Sequence, residues 1–118
     1  MLEIENERIC CAICADIDNP KHPENASKNN SSTYIASIFF SPNGITEAHQ
    51  SLQNYASQYQ MNVLMANFGG ESYGCSSGGR SAFWNNKGEL IAQMGDSDSG
   101  LLLVKKQHSG WASKILND

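Results

Sequence analysis

The sequence predicts an α/β (α+β) domain that starts β-α-β-α-β and finishes in antiparallel hairpins. Three observations carry that prediction. Short apolar runs occur at residues 8–14 (RICCAIC), 33–40 (TYIASIFF) and 62–67 (NVLMAN), with the lengths and residue types of buried strands. Between the second and third, Ile45, Ala48, Leu52, Tyr55 and Tyr59 recur at intervals of 3, 4, 3 and 4, which is one face of an amphipathic helix. Beyond residue 79, strand-like runs alternate with turn residues, the pattern of antiparallel strands. A chain of 118 residues holds one core, so residues 1–118 are read as a single domain.

Each element has a local reason. The first strand ends in the turn residues Asp16, Asp18, Asn19 and Pro20. Residues 21–30 suit a short helix: Asp18 or Asn19 is placed to cap it, Pro20 and Pro23 fit its first turn, and Asn29-Asn30 ends it. Ser41-Pro42-Asn43-Gly44 breaks the second strand before the long helix. Residues 68–79 hold five glycines and read as a loop. Residues 80–84 form a fourth strand, 85–88 (NNKG) a hairpin turn, 89–93 a fifth strand and 100–105 a sixth. The tail from 107 onward (QHSGWASKILND) has no clear pattern.

Charge and hydropathy exclude several functions. Eight basic residues stand against twelve acidic ones, a net charge of −4. No basic cluster exists to neutralise phosphates, so no nucleic-acid partner is expected. The longest apolar runs are too short to cross a bilayer, so no membrane partner is expected. The acidic N-terminus does not read as a signal peptide, and a cytoplasmic location is expected.

The four cysteines are Cys10, Cys11, Cys14 and Cys75. Three crowd into five residues, which is not the spread of a disulfide framework. Cys11 and Cys14 form a C-x-x-C, but Ala and Ile separate them inside an apolar run, unlike a redox site. The remaining possible metal ligands, Cys75, His22, His49 and His108, are scattered. Neither cofactor nor metal is expected.

Cys14 is the candidate nucleophile. It ends a strand and precedes a turn and a helix, and chemistry in α/β sheets gathers at that strand end. The backbone N–H of Ala15 is then placed to face a developing oxyanion. A thiol also needs a base or a positive neighbour. The nearest choices are Asp16, His22 and Glu24, with His49, His108 and Glu71 farther along. None forms an evident pair with Cys14. The glycine-rich 69–74 segment lacks a P-loop ending and reads as a connection that lines the same sheet end.

These residues together resemble the nitrilase, or carbon–nitrogen hydrolase, superfamily. Ile13-Cys14-Ala15-Asp16, followed by Asn19-Pro20 and His22-Pro23-Glu24, is similar to its nucleophile segment. TYIASIFF, YASQYQMNVLMANFGG and SSGGRSAFWNNKGELIAQMGDSDSGLLLV resemble later stretches in the same order, so the resemblance spans residues 8–113. It implies a four-layer α-β-β-α sandwich. It also implies a cysteine that attacks a small amide, nitrile or carbamoyl compound and passes through a thioester. Cys14 matches the nucleophile, and Ala15 the residue whose N–H faces the oxyanion. The family's general-base glutamate and its lysine lie before the cysteine. Here the thirteen preceding residues hold Glu3, Glu5 and Glu7 but no lysine, and no role is carried onto them. The expectation is therefore the C-terminal half of such a domain, as a fragment, split gene product or decayed gene, inactive alone. Its partner is expected to be a missing N-terminal half or further copies in a homo-oligomer. The alternative is a non-catalytic remnant or interaction subunit of the same fold, and less favoured still is a C-x-x-C redox or metal protein.

Overall fold

The computed structural model describes residues 2–67, 71–72, 75–76, 78–95, 100–107 and 110–117, with side chains at all of these except 71–72, 75–76 and 117. The chain runs β1 (Leu2–Ile4), β2 (Glu7–Ile13), a one-turn 3-10 helix (Cys14–Asp18), α1 (Lys21–Lys28), β3 (Thr33–Ile38), α2 (Ile45–Tyr59) and β4 (Asn62–Asn67). Short strands follow: β5 (Glu71–Ser72), β6 (Cys75–Ser76), β7 (Ala82–Trp84) and β8 (Leu90–Gln93). The chain closes with β9 (Gly100–Gln107) and β10 (Gly110–Asn117).

Six strands form one sheet in the order β1-β2-β3-β4-β7-β8. β2, β3 and β4 are parallel, joined through α1 and α2, while β1, β7 and β8 pair antiparallel. This is the expected switch from a crossover half to a hairpin half.

The register sorts the side chains into rows. Cys10, Tyr34, Val63 and Trp84 stand side by side, as do Ala12, Ala36, Met65 and Ala82. Strand side chains alternate between faces, so both rows share one face, and α1 and α2 cover it. The alanine row has room for the helices to come close. Ile45, Ala48, Leu52 and Ala56 of α2 are buried with these rows in one cluster, and Tyr55 and Tyr59 pack at its margin. The long helix thus buries the face that its spacing predicts, with Ala56 and His49 added.

The other face carries the intervening rows: Cys11, Ile35, Leu64 and Phe83, then Ile13, Ser37 and Ala66. Only part of it is covered. The antiparallel pair β9–β10 forms a separate two-stranded sheet, and its Trp111 ring lies 4.7 Å from the Phe83 ring. A cavity of about 480 Å³ separates this hairpin from the sheet, lined by Leu64, Phe83, Leu102, Val104 and Trp111 among others.

Five details differ from the sequence reading, and one is that the 68–79 segment, expected to be a loop, contains the paired two-residue strands β5 and β6. The N-terminal residues form β1 through a two-residue turn at Glu5 and Asn6, both with positive φ, the geometry of a type I′ hairpin. The first strand stops at Ile13, because Cys14 enters the 3-10 helix. Pro20 is the N-cap residue of α1, while the Asn19 side chain accepts the Lys21 N–H at 3.1 Å. The tail without a sequence pattern is β10, held by eight register pairs to β9. The expected turn at 85–88 is present. Gly88 adopts φ +82°, and a Cβ there would lie 2.6 Å from Ser57 of α2.

Candidate functional site

β2, β3 and β4 end together at one edge of the sheet, and Cys14 sits there directly after β2. Its backbone has φ +49°, a left-handed conformation that costs a non-glycine residue energy and persists only where neighbours hold it. Its side chain is exposed rather than packed beneath α2. Ala15 follows within the same turn.

Several bonds hold this turn. The Asp16 carboxylate accepts the Ile13 N–H at 3.0 Å, closing a loop around Cys14. The same oxygen, Oδ2, faces His22 Nε2 at 3.6 Å. The other ring nitrogen of His22, Nδ1, lies 2.7 Å from the Tyr34 hydroxyl. At 3.6 Å the Nε2–Asp16 approach is longer than a hydrogen bond, whereas Nδ1 lies within hydrogen-bond distance of the Tyr34 hydroxyl. Tyr34 is fully buried, and burial pushes its hydroxyl pKa up, with Cys10 adding to the shift. Behind the turn, Tyr55 of α2 donates its hydroxyl to the Ile17 carbonyl at 2.5 Å.

The ends of the neighbouring strands are clamped by Asn67. Its Oδ1 accepts the Phe40 N–H at 2.9 Å, and its Nδ2 donates to the carbonyls of Phe40 and Gly79 at 3.1 and 2.9 Å. Its backbone N–H donates to Ser81 Oγ at 2.9 Å. The sequence pattern marks this residue only as the end of a strand. A terminal Asn before a glycine run is the signal that could have found it.

The other base candidates are engaged elsewhere or undescribed. His49 is buried on α2, with Nε2 2.7 Å from the Arg80 carbonyl and its ring edge-on to Trp84. Burial pushes its pKa down. Glu24 pairs with Lys28 at 3.0 Å. Glu3 pairs with Arg8, and the Glu7 carboxylate accepts from Ser32. Glu7 begins β2, so about seven strand residues at ~3.3 Å each separate it from Cys14. His108, the glycines at 69, 70 and 74 and the Glu71 side chain fall outside the described residues, as does any approach of that loop to Cys14.

Cys11 is exposed on the open face. Three extended steps from Cys11 to Cys14 span roughly 10 Å, beyond the ~7 Å Cα reach of a disulfide. Cys10 is half-buried, and its thiol pKa is raised, first by burial and then by Cys11. Among the described residues, no group of three or more His, Cys, Asp or Glu side chains is placed to hold a metal ion. Nor does any described helix have the length and apolarity to cross a membrane.

No family model matches the chain, and no curated protein matches it. Solved structures do match. Nit3 of Saccharomyces cerevisiae, a member of branch 10 of the nitrilase superfamily, superposes with a TM-score of 0.71 at 16% identity, covering 92% of this chain and 37% of its own. A variant of the amidase from Nesterenkonia sp. AN1 gives 0.71 at 14% identity, over 98% of this chain and 40% of its own. In that structure the active-site cysteine carries the acetamide moiety of fluoroacetamide. The glutamine-dependent NAD+ synthetase from Acinetobacter baumannii gives 0.83 at 19% identity, over 99% and 23%. The chain therefore has the fold seen in nitrilase-superfamily carbon–nitrogen hydrolases, and it spans two fifths or less of each of these structures.

Proposed function

We propose that this chain carries the nucleophile half of a carbon–nitrogen hydrolase, with Cys14 as the nucleophile. The supporting observation is an exposed cysteine, held in left-handed backbone where a parallel strand ends. The substrate is a small amide, nitrile or carbamoyl compound.

For an amide, the Cys14 thiolate attacks the carbonyl carbon. The S–C bond forms, and the π electrons move onto oxygen. The Ala15 N–H, presented by the same turn, donates to that oxyanion. Collapse breaks the C–N bond, and the amine leaves with a proton. Water then attacks the thioester, releasing the acid and restoring the thiol.

The proton transfers require a base. Asp16 holds Ile13, and the three glutamates that precede Cys14 lie in the β1–β2 hairpin, before or at the start of β2. The general base and a cationic stabiliser are supplied by a complementary N-terminal half that packs on the open face of the sheet. Alone, this chain has no useful turnover, because members of a catalytic unit act together.

The test is a panel of small amides and nitriles, assayed with the chain alone and with an added half bearing Glu and Lys. Turnover is expected only from the pair, and Cys14→Ala abolishes it. Turnover by the chain alone that depends on Cys14 overturns the need for the second half. Turnover that survives Cys14→Ala overturns the nucleophile.

A further inference from the structure

We propose that His22 is a positioning residue for Cys14, acting through Asp16. This rests on the reading of Cys14 as the nucleophile. Asp16 Oδ2 accepts the Ile13 N–H, which holds the Ala12–Ile13 peptide and closes the turn that brackets Cys14. Cys14, with its positive φ, lies inside that turn. An aspartate on a one-turn helix is not rigid by itself, and its side chain is only partly covered. His22 supplies the missing constraint. It belongs to α1, a different element, and its ring is fixed at the far side by Tyr34. That tyrosine is 0% exposed on β3, with its ring 5.6 Å from the imidazole and inclined at 70°. The line Tyr34–His22–Asp16–Ile13 thus carries the rigidity of the core to the backbone that presents the thiol. The two ring nitrogens divide the work, since Nδ1 takes the anchor and Nε2 faces the carboxylate.

That division can be tested without turnover. The readout is the iodoacetamide alkylation rate of Cys14 divided by that of Cys11, resolved by tandem mass spectrometry of the full chain. Cys11 is exposed on β2 outside this line, so global destabilisation moves both rates together and leaves the ratio alone. His22→Asn keeps a polar group near the Nδ1 position, and with it the Tyr34 contact, but cannot reach Asp16. His22→Gln extends to the Nε2 position. The ratio is expected to fall at least about threefold in His22→Asn, a loss of under 1 kcal/mol in positioning, and to return toward the parent value in His22→Gln. Asp16→Asn, at a partly exposed site that retains an acceptor for Ile13, is expected to lower the ratio as well. It serves if the His22 variants do not fold. An unchanged ratio in His22→Asn or Asp16→Asn overturns the proposal, as does a His22→Gln ratio no better than that of His22→Asn. These outcomes are distinguishable from failure of the nucleophile assignment, which is read from turnover of Cys14→Ala with the second half present.

Discussion

The two faces of the six-stranded sheet are built from the same strands and have opposite fates. On the helix side, Tyr34, Val63 and Leu52 are at 0% exposure. On the other side, Ile13 is 68% exposed, and Cys11, Ser37 and Ala66 lie open around it. The open face is nevertheless apolar in composition, and the β9–β10 hairpin covers only one corner of it. The hairpin is itself apolar and open, with Leu101 at 60% and Leu103 at 49% exposure. The sheet thus has one helix-covered face and one apolar face under a partial second layer. The difference shows that burial of alternate residues along the same strands is decided by what packs on each face, the helices on one side and the β9–β10 pair over part of the other.

The contrast is broken most severely from the helix side. Leu52→Asp removes a fully buried aliphatic and inserts a charge, and it is expected to cost about 4 kcal/mol or more. Urea unfolding measures this, and parent-like stability would mean that α2 buries a different face. Met65 and Leu64 provide an internal control, since they are consecutive and face opposite ways. Met65→Ala is expected to cost about 2–4 kcal/mol, and Leu64→Ala less than half as much in the chain alone. Equal losses would erase the distinction between the faces.

A smaller effect depends on pH. Burial lowers the His49 pKa in the folded chain, so below the unfolded value of ~6.5 the unfolded state binds more protons. Stability therefore rises with pH across that window and falls on acidification. The urea midpoint should drop between about pH 7.5 and about pH 5.5, and His49→Gln should flatten that slope. The smallest effect is at the open face. Ile13→Ser should change the stability of the isolated chain by no more than about 0.5 kcal/mol, yet weaken binding of the complementary half in a titration calorimetry experiment.

Much of this is legible in the sequence because it is local or periodic. The run of apolar residues at 62–67 coincides with β4, and the 3-4 spacing of α2 matches its buried face. Cys14 stands at a strand end because Asp16, Asp18, Asn19 and Pro20 follow it. The tail is not legible, since Trp111, Ala112, Ile115 and Leu116 keep no period of two. β10 exists because β9 offers it a hydrogen-bonding edge. β1 carries a usable signal, Glu5-Asn6 between two strand-like triplets. The line from Tyr34 to Asp16 cannot be read from spacing. It depends on how α1 docks over β3, and in the sequence His22 alone looks like a capping or exposed residue.

The Asn67 clamp has a consequence for the chemical lifetime of the protein. Its amide nitrogen is the donor that faces two backbone carbonyls, those of Phe40 and Gly79. Asparagine is among the thermolabile residues, and hydrolysis of this one amide would leave an acceptor facing two acceptors. Both hydrogen bonds would become repulsions at a partly buried site, where an unsatisfied polar group costs roughly 1–3 kcal/mol. A change of a single mass unit would then loosen the ends of β3 and β4 and the approach to β7 while every apolar contact stayed in place. Hydrolysis of this one side chain would therefore alter the edge beside Cys14 and leave the core as it is.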